Sequence, residues 1–315
     1  MSITPEQVKA FAARAGFLAS GITRPAPNSH AVELDEWLAR GYAGNMRYLH
    51  RQAARRKDPR LIAPEARSII VVLDNYYSES VESGERPKVA KYALGTDYHR
   101  ELGGRLEEIA GWLRDNGAAL AKAYVDAGPV PERELATRAG LGWIGKNTML
   151  IRPGHGSFFF IGSIFTDLPL QPDDPFATDH CGTCTRCLDA CPTGALVAPQ
   201  VLDANRCISY LTIEYRGPFT DEQAGMLNRW GFGCDICNDV CPWNERFAQP
   251  ASHPGYASRN ELQRLDSEDW DAMTEEEFGR RFGDTPLERA GLNGLRRNWR
   301  AAASSRETRP GTTTT

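Results

Sequence analysis

The sequence predicts an α+β fold in three parts, and three observations carry that reading. Apolar, strand-like runs alternate with helical periods through the first 170 residues, the pattern of an N-terminal α/β unit. All eight cysteines fall between residues 181 and 241. After residue 248 the pattern is helical: an acidic stretch (261–289, ten acids against four bases) precedes a basic one (Arg296, Arg297, Arg300, Arg306, Arg309). The expected parts are therefore 1–170, 171–247 and 248–315. At 315 residues, with 41% hydrophobic and 25% charged side chains, the chain has the length and balance for sizeable buried cores.

Each element has its own signal. Thr4 is placed to cap a first helix, with Pro5 at the first helical position and Val8, Phe11, Ala12 and Ala15 following at helical spacing. Strands are expected at "SIIVVL" (68–73), "KAYVD" (122–126), "NTMLI" (147–151) and "SFFFIGSIFT" (157–166). Helices are expected at 99–115 and 131–139, the second closed by Gly140. "LPLQPDDPFATD" (168–179) reads as a linker, and the terminal "GTTTT" as disordered. The start shows no secretory or twin-arginine signal, and no apolar run approaches membrane-spanning length, so a cytoplasmic protein is expected.

The cysteines form two related motifs. Cys181, Cys184, Cys187 and Cys191-Pro192 make C-x2-C-x2-C-x3-C-P, the run by which bacterial ferredoxins bind iron–sulfur clusters. Cys234, Cys237 and Cys241-Pro242 make the same run one cysteine short, and Cys207 stands alone between them to supply the missing thiolate. In such runs the fourth cysteine ligates the other cluster. The crossed assignment gives one [4Fe–4S] cluster to Cys181, Cys184, Cys187 and Cys241, and a second to Cys191, Cys207, Cys234 and Cys237. Two Zn(Cys)4 sites are the alternative that C-x2-C pairs alone would allow. The tetrad with two Cys-Pro exits argues for clusters, hence for electron transfer.

A carrier protein needs little beyond this module, so the preceding residues argue for an enzyme. Asp126 ends an apolar run before Gly128-Pro129, where a carboxyl can be partly desolvated and kept protonated as a general acid. A capping role in the turn explains it equally well. "GLGWIGKN" (140–147) offers close backbone approach and Lys146 as a cation, or simply a glycine-rich strand entry.

With "KYALGTDYH" (91–99), "VDAGPV" (125–130), "AGLGWIGKN", "GSFFFIG" (156–162), "RCISYLTIE" (206–214) and "GCDICNDVCPWN" (233–244), these motifs resemble the epoxyqueuosine reductase family, cobalamin and iron–sulfur enzymes that complete queuosine in the tRNA anticodon. The resemblance implies a nitroreductase-like core in the cobalamin-binding N-terminal unit, electrons passing through the clusters to cobalamin, and loss of the epoxide oxygen as water. It assigns Asp126 as proton donor. Arg56, Tyr98, His99, Lys146, Asn147, Ser209 and Tyr210 fall on its cofactor-binding positions; His99 is equally explicable as a helix-start residue. "DYHREL" puts Leu102 where a base-binding D-x-H-x-x-G motif needs glycine, so cobalamin is expected without a histidine lower ligand. Many longer members add a C-terminal helical-repeat domain, for which the residues after 247 are too few.

The expected partners are tRNA and an external donor of flavodoxin or ferredoxin type, with a monomeric enzyme. A net charge of −4 speaks mildly against nucleic-acid binding. Locally, however, Arg40, Arg47, Arg51, Arg55, Arg56, Lys57 and Arg60 face only Asp58, either a solvated face or a phosphate-binding one. Trp230, Trp243 and Tyr210 can stack on bases or pack around the clusters. A cobalamin-dependent dehalogenase and a non-catalytic electron-transfer subunit are the competing functions. The first, which would here be cytosolic, usually has an export signal and a membrane partner that find no counterpart in this sequence, and the second would bind no corrinoid.

Overall fold

A computed structural model describes residues 3–79, 84, 86–259, 261, 262 and 264–305. Arg306, Arg309 and the "GTTTT" end lie outside them. No helix among the described residues is long and apolar enough to cross a membrane.

Helix α1 (Pro5–Arg14) starts in a capping box in which Thr4 and Gln7 exchange side-chain and backbone hydrogen bonds. Strand β1 (Ala19–Thr23) follows. The sequence pattern does not announce it, because "ASGIT" is short and only half apolar. Three helices come next, α2 (Ala31–Ala39), α3 (Arg47–Arg51) and α4 (Ala53–Lys57). Then come β2 (Ser68–Asn75), β3 (Lys88–Val89), α5 (Tyr98–Asp115), β4 (Ala121–Val125), α6 (Glu132–Arg138), β5 (Trp143–Ile144), β6 (Leu150–Ile151) and β7 (Phe159–Thr166). The expected strand at 147–151 shrinks to β6 because Thr148 adopts a left-handed φ of 69°.

The main sheet has the order β1-β2-β7-β4, and all its pairings are antiparallel. Alternating strands and helices suggest βαβ winding, but β7 inserts between β2 and β4 and opposes both. The unit is thus α+β in its pairing. Both faces of the sheet are covered, which explains why "SIIVVL" reads as a continuous apolar run. Ile70, Val72 and Ile164 pack under α1 and α5 with Val8, Leu106 and Ile109. Ile69, Val71, Leu73 and Phe165 face the other way, onto Leu135 and Ala136 of α6.

The cysteine-bearing region contributes α7 (Arg186–Ala190), the hairpin β8 (Leu196–Ala198) and β9 (Val201–Leu202), α8 (Ile208–Ile213), α9 (Asp221–Met226), β10 (Trp230–Phe232), α10 (Ile236–Asp239) and α11 (Pro242–Phe247). Strand β10 pairs in parallel with β3, tying this region to the N-terminal unit. The segment 168–179 has no regular structure, as expected of a linker, yet Asp173 pins it by accepting from the Ile22 N–H and from Lys9. Finally α12 (Ser267–Ala272), α13 (Glu275–Phe282) and α14 (Gly291–Ser304) bury Trp270, Phe278, Phe282 and Trp299 against Val89, Leu94 and Phe232.

Candidate active site

The site is built where β4, α5 and the loop before α6 meet. Asp97 caps α5 by accepting the His99 N–H, so Tyr98 and His99 open the helix. The Tyr98 ring is stacked between Phe160 of β7 (centroids 4.3 Å apart) and His99 (4.2 Å). Packing therefore fixes the direction of its hydroxyl, which donates to Asp126 Oδ2 at 2.5 Å. Burial and the nearby Asp126 charge push the Tyr98 phenol far up, so it stays a donor. His99 Nδ1 lies 2.8 Å from Asp97 Oδ1, and Nε2 lies 3.9 Å from Asp126 Oδ2. The bond to Asp97 raises the His99 pKa above its ordinary value and favours the imidazolium.

Asp126 follows the last residue of β4 and adopts a left-handed φ of 50°. Its side chain is 63% exposed. This corrects the expectation of a desolvated Asp126: the strand ends one residue earlier, and the turn aims the carboxyl outward. The desolvated carboxyl here belongs to Glu132, the first residue of α6, pushed up to about 8 by burial and then by the Asp126 charge. Glu132 Oε1 accepts the Asp126 N–H at 2.7 Å. Arg56 Nη2 donates to Gly128 O at 3.2 Å, while its buried Nε has no partner.

Further groups converge from distant sequence. Tyr48 of α3 feels the charges of Glu214, Arg289, Asp126 and Arg56, and burial raises its pKa. Arg289, just before α14, grips Glu214 with two hydrogen bonds of 2.9 Å, and its charge reaches both Asp126 and His99. The sequence reading missed Tyr48, Glu132, Glu214 and Arg289. Glu132 passes as an ordinary first-turn acid after Pro131, and Arg289 sits in an acidic stretch, so neither leaves a local signal.

The other expected residues lie against the cysteine loops. Lys146 Nζ donates to Gly182 O (2.6 Å) and Cys184 O (3.0 Å). Asn147 is buried and donates to Cys237 O and Asn238 Oδ1. Gly156, at φ 82°, leaves room for Asn244, with which any side chain would collide. Ser209 lies in the first turn of α8, where its N–H and that of Tyr210 point at the Cys207 sulfur. Tyr210 is buried, and its hydroxyl accepts the Asn45 N–H at 2.7 Å. Trp230 is buried too, and Trp243 packs edge-on against Trp143 at 5.0 Å. Tyr210 and Trp230 are thus packed into the protein, whereas Trp243 is half-buried.

The thiols sort into two neighbourhoods. Cys187 feels Cys181 and Cys241, and Cys241 feels Cys181 and Cys184. Cys207 feels Cys191, Cys234 feels Cys237 and Cys207, and Cys237 feels Cys207 and Cys191 and, more weakly, Cys187 across the gap. Burial pushes the Cys187 thiol up to about 11 and raises Cys207, Cys234, Cys237 and Cys241 as well. Mutually repelling thiols in low dielectric ionise only with a cationic partner, so this donor set fits metal clusters.

With this geometry in hand, the relatives are informative. Residues 180–244 match the family described as "4Fe-4S double cluster binding domain", and residues 56–127 the one described as "Epoxyqueuosine reductase QueG, DUF1730". The epoxyqueuosine reductase of Cellulophaga algicola is 41% identical over 293 residues, covering 92% of this chain and 95% of the relative. The chain belongs to the epoxyqueuosine reductase family. The family member from Gloeobacter violaceus is 42% identical and covers 96% of both chains. Among solved structures, an epoxyqueuosine reductase crystallised with an epoxyqueuosine-modified tRNA-Tyr stem loop superposes with a TM-score of 0.87 at 31% identity, covering 94% of this chain and 80% of that one. The Bacillus subtilis epoxyqueuosine reductase, with an aspartate catalytic loop swung out of the active site, superposes at 0.85 with 30% identity, over 94% of this chain and 80% of that one.

Proposed function

We propose that this protein reduces epoxyqueuosine to queuosine in the tRNA anticodon, with two [4Fe–4S] clusters and cobalamin as cofactors and Asp126 as proton donor. The observation that carries the reading is the Tyr98–Asp126–His99 constellation, set in a chain whose eight cysteines are all free and feel one another's charge in two neighbourhoods. The crossed cysteine assignment is the proposed ligation. For cobalamin, the unfilled Arg56 Nε donor beside the Asp126 loop suits a cofactor rimmed by amide carbonyls. Arg56, Tyr98 and His99 are its proposed contacts, and Lys146, Asn147, Ser209 and Tyr210 shape its wall by holding the cysteine loops and α8. When bound, the clusters supply single electrons and cobalamin joins two of them into the reductant that an epoxide requires.

The conversion of an epoxide to an alkene and water takes two electrons and two protons: both C–O bonds break, a C=C bond forms and the oxygen leaves as water. An alkoxide is a poor leaving group, so the oxygen must be protonated as it departs. Asp126 is exposed to an incoming substrate, and the Tyr98 hydroxyl stabilises the carboxylate left behind. His99, whose Nε2 lies within 3.9 Å and whose pKa the Asp97 bond raises, is placed to refill it with the second proton. The reading includes an external one-electron donor of flavodoxin or ferredoxin class, a monomeric enzyme and a cytoplasmic location.

The test is anaerobic reconstitution with iron, sulfide and cobalamin, then a product assay on tRNA carrying epoxyqueuosine. Wild type should form queuosine. Asp126→Asn keeps size and polarity but has no acidic proton to give. Its turnover should fall by about 10²–10⁴, the usual contribution of a positioned general acid, with tRNA affinity unchanged. Turnover within a few-fold of wild type would remove Asp126 from the chemistry.

A further inference from the structure

We infer that Glu132 is a positioning residue that holds the Asp126 turn in its working conformation from the rigid end of α6. The inference rests on the proton-donor reading above and adds what aims the donor. The ladder between β4 and β7 ends at the pair Val125–Gly162, so the sheet has no partner to offer the Asp126 N–H. The left-handed φ of 50° turns that N–H out of line with the strand, a conformation that Asp adopts more readily than most non-glycine residues but that still costs more than the extended one. Something must compensate, and Glu132 Oε1 accepts this N–H at 2.7 Å.

The anchor behind Glu132 is firm. Three and four residues on, Leu135 and Ala136 of the same helix are fully buried against β2 and β7. The rest of the turn is held more lightly. Gly128 N–H bonds back to Asp126 O at 2.9 Å, and Arg56 reaches Gly128 O at 3.2 Å. Because the Asp126 side chain is largely exposed, its own packing contributes little to its direction. The backbone at residue 126 sets whether the carboxyl meets the Tyr98 hydroxyl and comes within reach of His99. Without the Glu132 acceptor, the orphaned N–H and the unfavourable φ both favour relaxation of the turn, carrying the carboxyl away from Tyr98.

Gln retains an acceptor oxygen at the same reach, whereas Ala removes it, so the two variants separate positioning from charge. In the reconstituted holoenzyme, Glu132→Ala should lower kcat about ten- to a hundredfold, the scale expected for roughly 1 Å of misplacement, with KM for the tRNA within a few-fold. Hydrogen exchange across residues 124–131 should quicken in the same variant while cluster absorbance is retained. Glu132→Gln should restore both kcat and exchange to near wild type. Wild-type exchange and kcat in Glu132→Ala, alongside an inactive Asp126→Asn, would overturn the inference and leave the proton-donor reading intact. Fast exchange in Glu132→Ala with an active Asp126→Asn would do the reverse, keeping the latch and removing the donor.

Discussion

Asp97 performs two tasks with one carboxylate, capping α5 through the His99 N–H and binding the His99 ring through Nδ1. The second task has a consequence for stability. Because this bond lifts the His99 pKa above 6.5, there is a window in which the folded chain keeps a proton that the unfolded chain has lost. More protons in the folded state mean that stability falls as pH rises. The His99 contribution should be complete below about pH 6.5 and disappear as pH passes its folded value. Urea midpoints of the anaerobic holoenzyme across this range should show that decline, and His99→Gln should flatten it. An unchanged slope in the variant would show that His99 is not held as imidazolium. The same residue-scale logic distinguishes the two carboxyls of the turn: Asp126 is largely exposed, while Glu132 is half-buried against it.

At the scale of elements, the cysteine loops show how short segments are held by side chains from elsewhere. None of the helices α7, α8, α10 and α11 exceeds six residues, too short to be stable alone. Asn244 compensates by donating to Ser157 Oγ (2.9 Å) and Asn238 O (2.8 Å), and Asn147 joins the same buried network. Helix α8 carries Cys207 at its N-cap, beside Cys191 and within the field of Cys234 and Cys237. Cys207→Ser should therefore cost the reconstituted protein about four of its roughly eight irons, leaving the cluster of Cys181, Cys184, Cys187 and Cys241. Iron analysis with EPR of the reduced protein measures this. Loss of both signals would mean that the two sets fold as one unit.

Over the whole molecule, charge is unevenly divided. The net value is −4, with acids crowded into 261–289, whereas α3 and α4 expose Arg47, Arg51 and Arg55. Their neighbours are otherwise engaged: Lys57 pairs with Asp35, Arg60 with Asp58, and Arg56 reaches into the Asp126 turn. The exposed arginines lie on the same two helices as Tyr48, which feels the Asp126 charge, and Arg56, which bonds to Gly128 O of that turn. Reversing Arg47, Arg51 and Arg55 to Glu should weaken tRNA binding and flatten its salt dependence, by about 0.7–0.9 in log–log slope per lost phosphate contact. Unchanged affinity and slope would reduce these helices to a solvated face. The C-terminal helices also act at this scale: Trp270 and Trp299 pack with Val89 and Phe232 in one core, and Arg289, between α13 and α14, reaches Glu214.

What the sequence alone determined is local. The capped start of α1, the apolar strands β2 and β7, the helix expected from His99 and the two cysteine runs are all patterns within a few residues. Covalent spacing and helical or strand periodicity express such patterns directly. The cysteine spacing likewise pointed to iron–sulfur chemistry, because ligand spacing is itself a constraint on what can be bound. Only the tertiary structure decided that the sheet is antiparallel, for strand order does not fix strand direction. It also decided that Tyr210 is a packed strut, and that Glu132 is the desolvated carboxyl of the Asp126 turn. Tyr48, Glu214 and Arg289 come to that turn from positions scattered between residues 48 and 289, where no local pattern connects them. Burial and charge proximity belong to the assembled molecule, because they depend on which distant atoms displace water from a group, and no residue carries that information in its own neighbourhood.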